Sequence, residues 1–216
     1  MLLPLLDWVL GQLPSLQDCR LIQQFAEPDV LQVKSAGLAG KVAASMNCYP
    51  CDLLFIHRDA EKESREKRLQ EIHQAMSPYS HPPFVCLVPV RMSEAWLLID
   101  PDAIRRAADN PFSRASIDLP RLRDLEDVPD PKKTLQDLLM EASELRGRRR
   151  DRFRRDLAWR CQRVGEFVQD FSSLLKLDAF AAFHEETLQA VEKAVEQQPI
   201  LQPFKHEAPA AVKKRP

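Results

Sequence analysis

Residues 51–61 read CDLLFIHRDAE, and this stretch decides both the fold and the place of the candidate site. The apolar run 53–56 is typical of a strand that is covered on both faces inside an α/β sheet. Open α/β sheets bind ligands at the carboxyl ends of their strands, so the charged residues that follow lie where chemistry is expected. Asp59 and Glu61 are two positions apart, and on an extended chain their carboxylates leave from the same face. Such a pair attracts a hard divalent cation such as Mg²⁺.

The alternative interpretation of this segment is a solvated strand end that leads into a charged helix over 64–76. Arg58 and Arg65 flank the acidic pair and are candidates for contact with a phosphate. Arginines on a charged helix also form local pairs with glutamates, and for Arg65 both readings stay open. His57 is a candidate for proton transfer, although a histidine at an apolar strand end more often has a structural role.

The composition limits the class of protein. The chain has 216 residues, 44% of them hydrophobic, and a formal net charge of −1, so any surface that binds nucleic acid must be local. No segment has the length and purity of a membrane span, which predicts a protein without a membrane partner. Five scattered cysteines indicate reduced thiols and a cytoplasmic location.

Helix and strand patterns alternate through the first half of the chain, which predicts an α/β fold with a parallel sheet. The predicted order is helix 2–13, strand 19–26, helix 38–46, strand 52–57, helix 64–76 and strand 84–90. Glu94 follows the last of these strands, so a third carboxylate lies at a second strand end.

The second half of the chain is predicted to be helical. We divide the sequence into an α/β domain over 1–110, a helical extension over 111–197 and a disordered tail over 198–216. Asp100-Pro101 and Asp130-Pro131 each predict a helix start, with the aspartate as N-cap and the proline in the first turn.

Residues 146–163 contain nine arginines against two aspartates and keep apolar residues at helical spacing. This pattern predicts one amphipathic helix with a basic outer face. The candidate residues for contact with a nucleic-acid backbone are Arg148, Arg149, Arg150 and Arg152. A solvated helix face and a surface for an acidic partner protein are the open alternatives.

Three segments carry a resemblance to a known family: LLFIHRDAE at 53–61, PVRMSEAWLLID at 89–100 and DPKK at 130–133. Together they resemble the Toprim domain, the metal-binding module of topoisomerases, bacterial primases and OLD-type nucleases. The chain is most similar to a compact bacterial Toprim-like family. The resemblance implies a parallel-rich Toprim-like sheet flanked by helices, with a helical C-terminal region. It also implies that Asp59, Glu61 and Glu94 are catalytic residues that bind Mg²⁺ or Mn²⁺.

The sequence departs from the Toprim pattern in two places. Glu61 stands where the family's Asp-x-Asp motif has its second aspartate. A glutamate at the end of a first strand is also missing, and helix 2–13 resembles the helix that normally follows it. We expect that strand and its glutamate to precede Met1; the alternative is that the protein lacks them and is not catalytic.

The function implied by the resemblance is a Mg²⁺-dependent nuclease or related phosphoryl-transfer protein that acts on DNA or RNA. Its relation to OLD-type nucleases implies a role in phage or mobile-element defence and an ATPase partner protein. Tyr49 and Tyr79 lie near prolines in predicted loops, which argues against a tyrosine nucleophile of the topoisomerase type. The alternative function is a non-catalytic module that binds nucleic acid or a partner protein with an incomplete site. A nucleotide-processing enzyme ranks third.

Overall fold

The computed structural model describes residues 2–27, 31 and 37–197. It shows a mixed α/β protein that is mostly helical, as the alternating pattern of the first half and the helical second half predict. The tail 198–216, predicted to be disordered, lies outside the described residues. None of the helices in the described ranges is both long enough and apolar enough to cross a lipid bilayer.

Two parallel strands form the sheet within the described residues: β1 (Leu54–His57) and β2 (Phe84–Leu87). Leu54 pairs with Phe84 and His57 with Leu87. Backbone hydrogen bonds continue past the ends of both strands. For example, the N–H of Ala60 donates to the Pro89 carbonyl at 3.1 Å. The two chain segments therefore stay side by side beyond the carboxyl ends of the strands.

Helices make up most of the remaining structure. The α-helices of the described ranges are α1 (Leu2–Gly11), α2 (Leu38–Cys48), α3 (Arg65–Met76), α4 (Pro101–Ala107), α5 (Pro131–Ala142), α6 (Gly147–Arg155), α7 (Leu157–Phe167) and α8 (Asp178–Gln197). Short 3-10 turns lie at Pro14–Leu16, Ser93–Leu97, Leu122–Asp127 and Ser172–Lys176. Both predicted caps are confirmed: the Asp100 carboxylate accepts hydrogen bonds from the N–H groups of Asp102 and Ala103, and Asp130 accepts one from Lys133.

The sheet is buried between two layers of helices. Ile56 and Cys86 face a small cluster that includes Val42 of α2 and Ile72 of α3. On the other face, Val85 and Leu87 join a large apolar cluster built from α1, α4, α5, α7 and α8. This cluster contains residues from both sides of the boundary predicted at 110 and 111.

The strand predicted over residues 19–26 is wrong. This segment is irregular, and Leu21, Ile22 and Phe25 are exposed by 43%, 84% and 59%. Its alternation of apolar and polar residues is imperfect, so neither face of a strand would bury a continuous apolar row. The apolar side chains instead point away from the core, and the described sheet stays at two strands.

The single arginine-rich helix predicted over 146–163 is also wrong, because the chain forms two helices there. The break lies at Asp156, where the backbone has φ −97° and ψ 4°. Asp156 donates its N–H to the Phe153 carbonyl, three residues back, which tightens the last turn of α6. Phe153 and Leu157 are buried on either side of the break, so both helices cover the core.

Candidate active site at the strand ends

Asp59 lies two residues beyond the end of β1 and connects both strand ends. Its Oδ1 accepts a hydrogen bond from the Ser93 backbone N–H at 2.8 Å. The Nε2 atom of His57, the last residue of β1, lies 3.1 Å from the same oxygen. An ionised Asp59 carboxylate can only accept a hydrogen bond. A neutral imidazole that pairs with it therefore carries its proton on Nε2 and keeps Nδ1 as an acceptor.

Glu94 is the second residue of the 3-10 turn that follows β2, and it is 9% exposed. Burial raises the pKa of its carboxyl above the usual value, and the nearby charge of Asp59 raises it further. A hydrogen bond from its own backbone N–H and the positive charges of Lys132 and His57 act in the opposite direction. A buried carboxylate beside a second one is a group that a cation would stabilise.

Lys132 brings a positive charge to the same place from α5. Its ammonium acts on Glu94, and it also acts on Cys161, a buried residue of α7. Burial, followed by the charge of Glu94, raises the pKa of the Cys161 thiol to about 11. Side chains from three other parts of the chain, the end of β1, α5 and α7, therefore lie near Glu94. We call His57, Asp59, Glu94 and Lys132 the strand-end cluster.

Lys132 is a residue of this cluster for which the sequence alone predicts no role. Its signal was the DPKK segment, in which the Asp130 cap places Lys132 in the first turn of a helix. Lys132 approaches Glu94 because α5 packs against the 3-10 turn at Ser93–Leu97, which lies some 40 residues away in sequence. Such a contact leaves no local pattern.

Glu61 lies apart from the hydrogen bonds that join Asp59 to the second strand end. It is exposed, its backbone has φ 56°, and its N–H donates to the Arg91 carbonyl at 2.9 Å. The pKa of Arg68 is raised first by its hydrogen bond to Glu71, and the charge of Glu61 adds to this effect. Glu61 thus lies close enough to α3 to act on Arg68, and its role as a metal ligand stays a prediction.

Of the two arginines predicted to contact phosphate, Arg58 lies near α3 and Arg65 is the first residue of that helix. Arg58 donates to Glu71 Oε2 at 3.1 Å, and Arg68 binds both oxygens of the same carboxylate. Arg65 is partly buried, and its charge acts on Cys86 and on Glu126. Arg58 therefore has a structural partner, and the phosphate role of both arginines stays a prediction.

The four arginines predicted to bind nucleic acid all lie on α6 and are exposed: Arg148, Arg149, Arg150 and Arg152. Asp151, which interrupts them, is exposed as well. The structure thus presents these charges to solvent on one short helix.

The donor set at the strand ends fits Mg²⁺ in one of its usual modes. Across residues 2–27, 31 and 37–197, no group of three or more His, Cys, Asp or Glu side chains is arranged to hold a metal ion. These residues therefore do not form a metal site in which protein side chains supply all the ligands. Mg²⁺ is commonly held by one or two carboxylates together with water and substrate phosphates, and Asp59 and Glu94 supply two carboxylates.

Comparison of the chain with protein-family models, with curated proteins and with solved structures finds no match.

Proposed function

We propose that this protein is a phosphoryl-transfer enzyme that uses Mg²⁺ or Mn²⁺ to hydrolyse nucleic acid, DNA or RNA, at the strand-end cluster. The observation that carries the proposal is the hydrogen bond from Ser93 to Asp59, which joins the two strand ends and puts Asp59 beside the buried Glu94. Two carboxylates, an imidazole and an ammonium then meet where parallel sheets place their active sites. The resemblance to Toprim domains supports the same chemistry.

In this mechanism Asp59 and Glu94 would hold the metal, and Glu61 would contribute through water. A bound ion would neutralise the charge that develops on the transferred phosphate. The backbone N–H of Ser93 keeps the Asp59 carboxylate in one orientation, since both observed hydrogen bonds go to Oδ1. Neither of these two hydrogen bonds uses Oδ2, which would be the oxygen left to hold a metal.

His57 and Lys132 have separate roles in the proposed reaction. When Asp59 accepts a hydrogen bond from the Nε2–H group of His57, Nδ1 is free to take a proton from the attacking water. Lys132 is exposed yet close enough to act on Glu94, so its ammonium can contact a non-bridging phosphate oxygen. Tyr49 and Tyr79 precede β1 and β2 respectively, at the other end of the strands. Hydrolysis by water therefore fits better than a tyrosine-linked intermediate.

Most of the biological setting follows from the resemblance alone. A Toprim-like sheet, a role in phage or mobile-element defence and an ATPase partner are parts of the proposal that rest on it, whereas the proposed cytoplasmic location rests on the five scattered cysteines. The chemistry at the strand ends does not depend on them.

Calorimetric titration with Mn²⁺ tests the proposal directly. We expect the wild-type protein to bind Mn²⁺, and Asp59→Asn and Glu94→Gln each to weaken binding by about tenfold or more, because each removes one anionic ligand. Both substitutions keep the shape of the side chain and an oxygen acceptor. Glu141→Gln, an exposed position on α5, is the matched control and should bind as the wild type does.

The same four proteins should then be tested for cleavage of labelled single-stranded and duplex oligonucleotides with Mn²⁺. Cleavage by the wild type and the control, and loss in both site variants, is the expected result. Equal Mn²⁺ binding by all four proteins would refute the metal site. The alternative of a non-catalytic binding module would then be the better description.

A further inference from the structure

Helix α6 carries a concentration of positive charge that the strand-end cluster does not use. Its nine residues contain six arginines and one aspartate, whereas the whole chain has a net charge of −1. All six arginines are exposed. Among the residues that the structure describes, no carboxylate lies within ion-pair distance of any of them.

Seven arginines in other described parts of the protein are paired with carboxylates. Arg58 and Arg68 share Glu71, Arg105 binds Asp102, Arg121 and Arg123 share Asp124, and Arg160 and Arg163 share Asp109. On α6, by contrast, like charges lie four residues apart, as in Arg148 and Arg152, and destabilise an isolated helix. A helix with this charge is stabilised by an anionic partner from outside.

Trp159 adds an aromatic surface at the junction of α6 and α7. Its side chain is 54% exposed. The Arg160 guanidinium lies 4.0 Å from the ring centre of Phe153 on α6 and 5.8 Å from that of Trp159. Arg163, which is held by Asp109, lies 4.7 Å from the Trp159 ring centre. The indole is therefore fixed beside the basic helix by two arginines while more than half of it faces solvent.

We propose that α6 and Trp159 form a binding surface for single-stranded nucleic acid. Phosphates contact the row Arg148, Arg149, Arg152 and Arg155, which share a helix face at i, i+1, i+4 and i+7. A base stacks on Trp159, as bases do on exposed aromatic rings in proteins that bind single strands. A basic row beside an exposed aromatic ring is the combination by which proteins bind single strands, so nucleic acid is the occupant we assign, and an acidic protein is an outcome of the test.

This surface adds a substrate class, single-stranded nucleic acid, to the proposed function. Binding to α6 does not depend on that function, and only cleavage of the bound strand rests on it. Cys161, two residues after Trp159 on α7, lies close enough to Glu94 for that charge to raise the pKa of its thiol, after the larger effect of burial. Helix α7 therefore carries the exposed indole of the basic surface and, on its buried side, a residue near the strand-end cluster.

Fluorescence anisotropy with a labelled oligo(dT) of about 20 nucleotides, in EDTA, tests binding separately from catalysis. We expect Arg149→Gln/Arg152→Gln to weaken binding by about tenfold or more and to reduce the slope of log K against log salt by about 1.4, from two lost phosphate contacts. Arg121→Gln/Arg123→Gln removes the same charge from arginines that are paired with Asp124. This control should bind within about twofold of the wild type.

Trp159→Ala separates stacking from charge. We expect it to weaken oligo(dT) binding by about fivefold or more and to leave binding of heparin, a polyanion without bases, unchanged. Far-ultraviolet circular dichroism confirms that each variant is folded, since all the changed side chains are exposed.

Three results would overturn this proposal. The first is loss of binding in the Arg121/Arg123 control rather than in the α6 variant, which would place the surface at the cavity of about 500 Å³ lined by Arg121, Arg123 and Lys176. The second is competition by polyglutamate as strong as that by oligo(dT), which would indicate an acidic protein partner. The third is unchanged affinity in Trp159→Ala. Oligonucleotide binding that depends on α6, without cleavage in Mn²⁺, would overturn the proposed catalysis alone.

Discussion

At the scale of single residues, backbone conformation separates the two acidic positions that follow β1. Asp59 accepts a hydrogen bond from Ser93 and so belongs to both strand ends. Glu61, two residues later, has φ 56°, in the left-handed region that favours glycine. The extended geometry that would put both carboxylates on one face has ended before Glu61 is reached. The two residues therefore contribute unequally to the site.

This difference predicts unequal effects of two conservative substitutions. Glu61→Gln should weaken Mn²⁺ binding less than Asp59→Asn does, because Glu61 acts through water in the proposed site. Glu61→Gly should raise the free energy of unfolding by up to about 1 kcal/mol, since glycine adopts positive φ without the steric cost paid by glutamate. Calorimetry and urea unfolding measure the two effects. A Glu61→Gln variant that binds Mn²⁺ as poorly as Asp59→Asn would make Glu61 a direct ligand.

The sequence predicts that Asp59 and Glu94 lie close together, because each follows a strand and parallel strands end at the same edge of the sheet. The sequence does not reveal the left-handed backbone at Glu61, since nothing in HRDAE marks where the extended chain stops. The approach of Lys132 is equally hidden, as it depends on helix packing between segments distant in the chain. The position of these two carboxylates at one edge of the sheet was therefore predictable, and the surrounding tertiary contacts were not.

At the scale of elements, the ends of helices follow the sequence closely where a side chain caps them. Asp100 and Asp130 start α4 and α5 as predicted, because an aspartate before a proline satisfies free N–H groups locally. The failed strand at 19–26 and the break at Asp156 have another cause. The segment 19–26 has no continuous apolar row for a strand to bury, and at Asp156 the break depends on how α6 and α7 pack on the core, which no local residue specifies.

Asp109 shows how one carboxylate joins two such elements. It follows α4 and binds Arg160 Nη1 at 2.7 Å and Arg163 at 2.9 Å, both on α7. Burial alone would raise the pKa of Asp109, but the hydrogen bonds and charges of Arg160 and Arg163 outweigh it and lower the pKa. Arg160 also donates to the Ala107 carbonyl, the last residue of α4. The ionised form of Asp109 is therefore the one that stabilises the contact between α4 and α7.

Stability should consequently depend on pH through Asp109. A lowered pKa in the folded state means that the stabilisation is present above the pKa of the unfolded chain and is lost as the pH falls through the folded value. Asp109→Asn, which keeps an oxygen acceptor and tolerates the φ of 56° at this position, should be less stable than the wild type near about pH 7. The difference should shrink towards about pH 3 in urea unfolding.

Asp102→Asn is the matched control for this prediction. Asp102 lies on α4 and pairs with Arg105, but its side chain is 74% exposed, so its ion pair should contribute little. A pH-independent difference between the wild type and Asp109→Asn would contradict the proposed role of the charge.

At the scale of the whole molecule, α8 connects the sheet to the helical second half. Glu186 of α8 accepts a hydrogen bond at 3.1 Å from the N–H of Cys86 on β2, 100 residues away in sequence. Phe183 is fully buried and packs against Phe55 of β1 and against Trp96, with ring centres 6.4 and 6.2 Å apart. The large apolar cluster thus joins the two regions that the sequence divides at residues 110 and 111.

This packing predicts that the described part of the chain unfolds in one cooperative step. Tryptophan fluorescence and far-ultraviolet circular dichroism should give coincident transitions in urea. Phe183→Ala should shift both together and lower the free energy of unfolding by about 3–5 kcal/mol, because it leaves a cavity where the sheet meets α8. Phe112→Ala, at a side chain that is 91% exposed, should change stability by less than about 0.5 kcal/mol. If the two probes separate in Phe183→Ala, the α/β region and the helical region are independent folding units, and a strand bound on α6 has no rigid connection to the strand ends.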